Sequence, residues 1–496
     1  MKSSSAKGFI HVLVNLGGTA WSAAIGIAFV PIYILRLGIE SYGLIGFIAT
    51  LQIWFSLLDM GFTTTLNREM AQVGCSEKEI ERVKNLLRTL ETVVITIALV
   101  IIAALVFLGS SIARKWLQVE HINYAEVESV MSIAGIIIGL RWISGLYAGA
   151  LQGLQDQVWL NGARIALSTS RAVGSVFVLY FVSNTILSFF IFQCLSFALE
   201  NIVFIMRVYK RIPTSATKGK FSLVSLGSVW KYSASVGLYA LLGTILGQSD
   251  KVLLSKLVSL SDFGVYSLAA VVAGVITMAA SSVYSAAFPR FSTYQENQDE
   301  LLKEFSFMSQ LSSFLIVPAA LTIAVFADDF MRFFLHTTQL NSNEDFLLAI
   351  IVIGTMMNSL MYLPVALILA SGSPRKLVAI NVVSVLLFLP AIIYFVPIYG
   401  VIGAAWIWLL LNFGNITFGT IYIFRKFPHF KKWSWYFFDI LVPLLISLSI
   451  LGALRFVFIG VHSLFFVGIA FTLAAVGSFF CLPQLRHQLF VLIKLP

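Results

Sequence analysis

The sequence predicts an all-α, polytopic membrane protein with about fourteen transmembrane helices. Of its 496 residues, 59% are hydrophobic and 11% are charged, whereas soluble globular proteins average roughly 45–50% apolar and about 25% charged residues. Apolar runs recur along the whole chain at lengths close to the about 20 residues that cross a bilayer. The connections between them are short, so the sequence leaves little room for an extramembrane domain.

The predicted spans are the apolar runs between charged or Pro- and Gly-containing breaks. Turns near residues 182–184 and 397–399 split two runs that are too long for one crossing. The first run is too long for the apolar region of a cleavable signal peptide, so we take it as a span. The fourteen spans are 8–36, 41–66, 87–110, 126–151, 158–182, 184–208, 229–257, 262–288, 305–330, 346–370, 377–397, 400–424, 437–458 and 462–482. The connection 67–88 is expected to carry a short surface helix.

The distribution of positive charge predicts that both termini are cytoplasmic. With that orientation, 23 of the 33 Lys and Arg residues fall on the cytoplasmic side and only seven on the outer side. Cytoplasmic loops of membrane proteins carry such an excess. The remaining three cations lie inside predicted spans, and the net charge of +10 therefore reflects topology more than ligand binding.

A weak repeat, offset by about 220 residues, predicts two related lobes. Tyr42-Gly43 and Phe263-Gly264 occur at the starts of spans 2 and 8, and Arg68 and Arg290 occur at their ends. Six spans per lobe make the repeat parallel, as in some rocking-bundle transporters. The predicted divisions are an N-terminal lobe 1–208, a cytoplasmic inter-lobe loop 209–228, a C-terminal lobe 229–424, and two appended helices with the C-terminal tail, 425–496.

Three arginines inside spans 4 and 5 are the candidate binding residues. Arg141 lies about 17 Å from the cytoplasmic end of span 4 at 1.5 Å per residue, near the middle of the bilayer. Arg171 lies at similar depth in span 5, and Arg164 is seven residues earlier, on the same helical face. Charges within the membrane usually face a cavity or a partner. Because guanidinium groups bind phosphate bidentately, the three suit a phosphorylated ligand.

The alternative interpretation is that buried carboxylates neutralise these arginines. Glu200 in span 6 lies near the expected depth of Arg164, and Asp59 near the end of span 2 suits a shallower arginine. Two carboxylates leave at least one of three arginines for an anionic ligand. Trp142, beside Arg141, is a candidate for stacking against a sugar.

Asp250 and Lys251 form the second candidate pair, in the outer third of span 7. Asp250 is a candidate site for coupling transport to a proton or sodium gradient. The alternative is a charge pair of Asp250 with Lys251 or Lys256. The sequence shows no metal-ligand spacing, no nucleotide-binding loop and no exposed basic patch for nucleic acid, so we expect no cofactor and no nucleic-acid partner.

Three stretches together resemble the bacterial polysaccharide flippases (the Wzx-type O-antigen and capsule exporters). The first runs from Leu58-Asp59-Met60-Gly61-Phe62 to Leu66-Asn67-Arg68-Glu69. The second runs from Gly145 through Gly149, Gln152 and Gly153 to Asn161. The third runs from Ser249-Asp250-Lys251 to Phe263-Gly264 and Ala269. The resemblance implies membership of the multidrug/oligosaccharidyl-lipid/polysaccharide exporter superfamily.

It also implies a function in surface polysaccharide (O-antigen, lipopolysaccharide or capsule) synthesis. Such a protein moves an undecaprenyl-diphosphate-linked oligosaccharide between leaflets of the bacterial inner membrane by alternating access. Its partners would be the lipid-linked oligosaccharide, membrane lipids and polysaccharide assembly proteins such as a polymerase. The alternatives are a cation-coupled drug or small-molecule antiporter, a lipid II flippase and a membrane-embedded polymerase. The outer loops are short and lack a clustered acid–base pair, so we expect no enzyme.

Overall fold

The computed structural model describes ten stretches of the chain. They are residues 21–22, 24–59, 61–72, 77–212, 219–222, 243–337, 343–372, 374–427, 432–458 and 463–487. The described chain is helical throughout, and a single bridge between Gln118 and Ser259 is the only β pairing in these stretches. The start of predicted span 1, the start of predicted span 7 and most of the predicted inter-lobe loop lie outside the described residues.

Helices α1 to α6 precede the predicted inter-lobe loop. They are α1 (Ala24–Leu37), α2 (Ile39–Ser56, continued by a 3-10 turn at Leu57–Asp59 and by Phe62–Ala71), α3 (Glu77–Lys115), α4 (Tyr124–Gly153), α5 (Gln157–Phe181) and α6 (Ile186–Arg211).

Helices α7 to α14 follow it. They are α7 (243–257), α8 (Leu260–Thr293), α9 (Gln298–Val325), α10 (Glu344–Ala370), α11 and α12 (together Pro374–Gly414, extended to Phe424), α13 (Trp435–Val457) and α14 (Leu464–Phe480). A short helix, Ala327–Leu335, lies between α9 and α10.

The prediction of an all-α, polytopic membrane protein is confirmed. Nine of the described helices are long and apolar enough to cross a membrane, and α1 and α14 are shorter apolar helices. Every one of the fourteen predicted spans coincides with a helix over the residues described. The predicted split near 397–399 corresponds to a non-helical residue, Gly400, whose φ of +59° interrupts the run from Pro374 to Gly414.

The connection 67–88 differs from its prediction over the residues that the structure describes. It was expected to hold a separate surface helix, but Glu77 begins one helix that runs without a break to Lys115. The added turns are held to the end of α2 by an ion pair between Arg82 and Glu69, whose side chain is buried. A buried carboxylate needs such a partner, and this contact explains why the helix extends beyond the membrane-spanning part.

The chain divides into two compact units, residues 1–264 and 265–496. The first has a core where α2, α3, α4 and α6 meet, built from side chains such as Leu66, Leu90, Leu151 and Phe204. In the second, α9 packs against α10, α13 and α14. The predicted lobe boundary at 209–228 stays a prediction.

Candidate functional site

Helices α5 and α6 bring the predicted arginines to one aromatic side chain. The guanidinium carbon of Arg171 lies 4.1 Å from the ring centroid of Phe197, and that of Arg141, from α4, lies 5.3 Å from the same ring. Phe197 is buried in α6. The negative face of an aromatic ring attracts cations, so Phe197 holds two guanidinium groups near each other in spite of their repulsion.

Glu200, three residues after Phe197, forms an ion pair with Arg171. Nη1 of Arg171 lies 3.0 Å from the carboxylate, and both side chains are mostly buried. The sequence placed Glu200 nearest Arg164 in depth; the structure gives it Arg171 as its partner. The carboxylate therefore neutralises one of the three arginines.

Arg164 lies two turns before Arg171 on α5. It is half-buried, and it makes no hydrogen bond or ion pair within the part of the chain that the structure describes. Glu200, which attracts Arg164 electrostatically, already pairs with Arg171. Arg164 is thus a half-buried cation whose donors are available to a ligand.

Arg141 is exposed although three helices contribute to its surroundings. Its guanidinium donates a hydrogen bond to the side-chain carbonyl of Gln52 on α2, and it faces Phe197 on α6. Arg141 therefore combines an exposed side chain with contacts to two neighbouring helices. The cluster formed by Arg141, Arg164, Arg171 and Glu200 has an excess of two positive charges.

Contacts with α1 and the residues just before it fix the rotation of α5. The indole N–H of Trp21 donates to Thr169 at 3.0 Å, and the hydroxyl groups of Ser22 and Ser168 lie 3.4 Å apart. From α6, Gln193 donates to Ser175 at 3.2 Å. Polar contacts from two directions leave α5 little freedom to rotate, which keeps Arg164 and Arg171 in register with α6.

Asp59 and Trp142 have structural roles. Asp59 accepts hydrogen bonds from the backbone N–H of Thr63 at 3.3 Å and from its hydroxyl at 2.7 Å. These local hydrogen bonds satisfy its carboxylate just before the second segment of α2, and none of the ion pairs among the described residues joins it to an arginine. Trp142 donates to the carbonyl oxygen of Phe55 at 3.1 Å and packs against the hydrophobic core. Its ring is partly buried in this packing, and a sugar-stacking role stays a prediction.

The second candidate pair lies in α7. Lys251 donates to Gln248 at 3.0 Å, and the ammonium of Lys256 lies 5.0 Å from the ring of Trp116. Asp250 is buried. Its pairing with either lysine and its role in coupling both stay predictions.

The first two motifs of the resemblance contact each other. Gly61 has a φ of +82°, a conformation that favours glycine, where α2 bends after Asp59. A methyl group on Gly149 would lie 2.5 Å from Thr63 Cγ2, and one on Gly153 would lie 2.3 Å from the carbonyl oxygen of Asn67. The glycines at i and i+4 of α4 therefore allow the backbone of α2 to approach closely.

Phe197 and Gln52 were not predicted from the sequence. Both are uncharged and lie in apolar segments, so neither composition nor helical period distinguishes them from packing residues. For Phe197, the one available signal is its spacing of three residues from Glu200 on α6.

Some charged side chains of residues 265–496 have ion-pair and hydrogen-bond partners of their own. Arg455 of α13 pairs with Asp328 at 2.6 Å and with Asp329 at 3.0 Å. Asp439 is buried in the π-helical start of α13 and accepts a hydrogen bond from Gln310 at 3.1 Å. The described part of this unit offers no cluster of arginines like the one on α4 and α5.

The helices define a polytopic α-helical membrane protein fold. Comparison with solved structures supports this class. The lipid II flippase MurJ, in an inward closed conformation, aligns with a TM-score of 0.71 at 15% identity, covering 97% of this chain and 100% of that one. An inward-facing multidrug resistance MATE family transporter of the MOP superfamily aligns with a TM-score of 0.65 at 13% identity, covering 84% of this chain and 98% of the other.

The sequence comparisons identify the family. The model of the family described as "Polysaccharide biosynthesis protein" matches residues 9–295, more than half of the chain. The chain belongs to this family of polysaccharide biosynthesis proteins. A candidate O-antigen transporter of Shigella flexneri is 21% identical over 396 residues, which span 79% of this chain and 92% of that protein. The resemblance deduced from the motifs is confirmed.

Proposed function

We propose that the protein moves undecaprenyl-diphosphate-linked oligosaccharide repeat units from the inner to the outer leaflet of the bacterial inner membrane. The observation that carries the proposal is the cluster on α4, α5 and α6. Three guanidinium groups share one carboxylate there, and Arg164 has no ion-pair partner among the described residues. A diphosphate diester has two negative charges, which match the excess of two positive charges.

The diphosphate is the part of this substrate that the site would bind. Arg164 offers a fork of donors that fits phosphate oxygens bidentately, and Arg141 on α4 is exposed. Phe197 and Glu200 would hold Arg141 and Arg171 in place. The polyprenyl tail can stay in the bilayer while the charged and sugar groups bind at the arginine cluster, which avoids moving them through hydrocarbon.

The proposed direction of transport follows from the charge of the substrate. With both termini cytoplasmic, as the Lys and Arg distribution predicts, the arginines bind the headgroup from the cytoplasmic side. Alternating access would then expose it outside. A potential that is negative inside favours outward movement of an anion by about 2.3 kcal/mol per charge per 100 mV. The potential, or a proton or sodium gradient acting at Asp250, would supply the energy.

The membership of a polysaccharide biosynthesis family and the likeness to an O-antigen transporter support an O-antigen or capsule repeat unit as the cargo. In that setting, a polysaccharide polymerase and other assembly proteins would receive the flipped product. This places the protein between the cytoplasmic glycosyl transfers that build the repeat unit and its polymerisation outside.

A cellular experiment tests the proposal. Deletion of the gene should abolish the surface polysaccharide and cause lipid-linked repeat units to accumulate on the cytoplasmic leaflet. Wild-type protein should restore the polysaccharide, and Arg141→Ala at matched expression and folding should not. Normal surface polysaccharide in the deletion strain, or full rescue by Arg141→Ala, would count against the proposal.

Drug export is the alternative function, and the fold likeness to multidrug resistance MATE family transporters favours it. A cluster with excess positive charge repels cationic drugs. We therefore expect cells to gain no resistance to cationic dyes from this protein. Dye export that depends on the protein would support the alternative.

A further inference from the structure

A cavity lies beside the starts of α9 and α13, within residues 265–496. Its volume is about 480 Å³, which falls in the range of about 300–1,000 Å³ that small-molecule sites occupy. Its walls come from α9, the end of α12, the start of α13 and the segment after α14. The lining includes Lys303, Phe305, Gln310, Trp435, Asp439 and Gln484.

Asp439 contributes a buried carboxylate to this cavity. The residue is 6% exposed, and its carboxylate accepts hydrogen bonds from the side-chain amide of Gln310, at 3.1 Å, and from the hydroxyl of Ser309. Both donors are uncharged, and none of the ion pairs among the described residues includes Asp439. A buried charge is costly unless an opposite charge pairs with it. A cation in the cavity would therefore stabilise this carboxylate.

The groups around Asp439 hold it in place. Trp435 donates its indole N–H to Ser309 at 2.7 Å, and the side-chain carbonyl of Gln310 accepts the backbone N–H of Gln484 at 2.9 Å. Trp435 and Asp439 lie in the π-helical start of α13, and such segments are frequent at functional sites. The carboxylate is thus fixed on the cavity wall by neutral groups that have partners of their own.

Aromatic side chains form another part of the wall. Phe305 is 2% exposed, and Phe424 and Trp435 are each 5% exposed. The ring centroid of Phe424 lies 6.0 Å from that of Phe305 and 5.6 Å from that of Trp435. Aromatic faces attract organic cations. A carboxylate beside several aromatic rings is therefore suited to an ammonium group.

Lys303 gives the cavity a positive charge as well. Its side chain is exposed, and it has no ion-pair partner in the described stretches. Lys303 lies two residues before predicted span 9 and Asp439 two residues after the start of predicted span 13, and the Lys and Arg distribution predicts that both positions are cytoplasmic. Both charges are therefore expected at the level of the lipid headgroups, where basic side chains bind phosphate groups.

We propose that this cavity binds the headgroup of an ethanolamine phospholipid from the cytoplasmic leaflet. The ammonium donates hydrogen bonds to Asp439 and lies against the aromatic rings, and Lys303 contacts the phosphate. A choline headgroup has no N–H to donate, and a glycerol headgroup has no cation, so the site selects among lipids. The inference is independent of the cargo and of the direction of its transport.

Native mass spectrometry of the whole protein in detergent tests the lipid preference. We expect phosphatidylethanolamine to bind about tenfold more tightly than phosphatidylcholine or phosphatidylglycerol with the same acyl chains, the factor that one charge-assisted hydrogen bond provides. Free phosphoethanolamine has the same headgroup without the chains, and it should bind more weakly than the lipid. Equal binding of the three lipids would overturn the proposal, and a free headgroup that binds as tightly as the lipid would overturn a lipid as the ligand.

Three variants locate the site. Asp439→Asn should remove the preference for phosphatidylethanolamine and leave phosphatidylglycerol binding unchanged. The control, Glu300→Gln, removes a negative charge from an exposed position in the first turn of α9, outside the cavity lining, and it should bind like the wild type. Lys303→Glu changes only an exposed side chain, so it tests the site even if Asp439→Asn does not fold, and it should weaken phosphatidylethanolamine binding several-fold. An unchanged preference in folded Asp439→Asn, or wild-type affinity in Lys303→Glu, would overturn the proposal.

Discussion

Arg171 and Glu200 form an ion pair with an N–O distance of 3.0 Å, and it sets the charge of the candidate site. Without Glu200, three guanidinium groups would repel one another in a half-buried region. With it, Arg171 is neutralised and Arg164 keeps its charge unmatched. The site therefore combines one arginine committed to structure with two that are available to an anion.

The first prediction concerns the stability that this ion pair provides. Arg171→Gln leaves a mostly buried carboxylate without its partner, which should lower the free energy of unfolding by about 1–3 kcal/mol. Thermal unfolding of the purified protein in detergent measures this. The double variant Arg171→Gln/Glu200→Gln should recover part of the loss, because no unpaired charge remains. Equal unfolding temperatures for the wild type and Arg171→Gln would show that the pair contributes nothing.

Phe197 should affect ligand binding through the two guanidinium groups on its ring. Phe197→Leu keeps an apolar side chain but removes the aromatic face, and a cation–π contact contributes about 0.5–2 kcal/mol. We expect undecaprenyl diphosphate to bind about 3- to 10-fold more weakly, measured by native mass spectrometry with unchanged thermal unfolding. The control Phe197→Tyr keeps the aromatic face and should bind like the wild type. If Phe197→Leu bound the ligand with wild-type affinity, Phe197 would not contribute to the binding site.

The glycines of α4 give a prediction with a matched control on the same helix. Ala at Gly149 or Gly153 would place a methyl group 2.5 Å from Thr63 Cγ2 or 2.3 Å from the carbonyl oxygen of Asn67. Such overpacking costs about 1–3 kcal/mol. Gly145→Ala meets nothing within 4 Å, and it should be neutral or slightly stabilising. If all three variants show the same membrane level and unfolding temperature, the close approach of α2 and α4 is refuted.

Because an ion-paired carboxylate lies in the turn between α4 and α5, we expect the protein to lose stability in acid. Arg211 and, to a smaller extent, Arg207 donate hydrogen bonds to the Asp156 carboxylate. These contacts lower the pKa of Asp156 to about 2. A lowered pKa in the folded protein means that the stabilisation is complete above the unfolded-state pKa near 3.9 and disappears as the pH falls towards 2. Because Arg211 is half-exposed, we expect the Asp156 charge to contribute about 1–2 kcal/mol to the free energy of unfolding.

Asp156→Asn tests this through its difference from the wild type. The wild type should be the more stable protein at pH 7, and the gap should shrink steadily as the pH falls from about 4 towards 2. A gap that stays constant over this range would show that the Asp156 charge is not its source.

Helix positions were predictable because apolar runs of about 20 residues are typical of membrane-spanning helices. The heptad spacing of Arg164 and Arg171 likewise placed both on one face of α5. The partner of Glu200 was not predictable, since depth alone does not fix the rotation of α6 relative to α5. The role of Phe197 was not predictable, because it arises from contacts with two arginines on other helices. In the sequence, Phe197 is one of many apolar residues.

The motif around Asp59 illustrates a different limit. The sequence marks Asp59 and Gly61 as unusual in an apolar run, and a carboxylate there suggests a partner for an arginine. The structure shows a local hydrogen bond from Thr63 to Asp59 and a left-handed Gly61 instead. Local hydrogen bonds to Thr63 satisfy the carboxylate, and sequence spacing alone does not distinguish that outcome from a long-range ion pair.

Arg164 provides the most direct test of the proposed diphosphate site. The measurement is the rate at which purified protein in liposomes flips undecaprenyl-diphosphate-linked oligosaccharide. Arg164→Gln should lower this rate about tenfold or more, as the loss of a charge-assisted contact of about 1.5–3 kcal/mol requires. Its unfolding temperature should not change, because no partner among the described residues is left unpaired. A wild-type flipping rate in Arg164→Gln would contradict the proposed site.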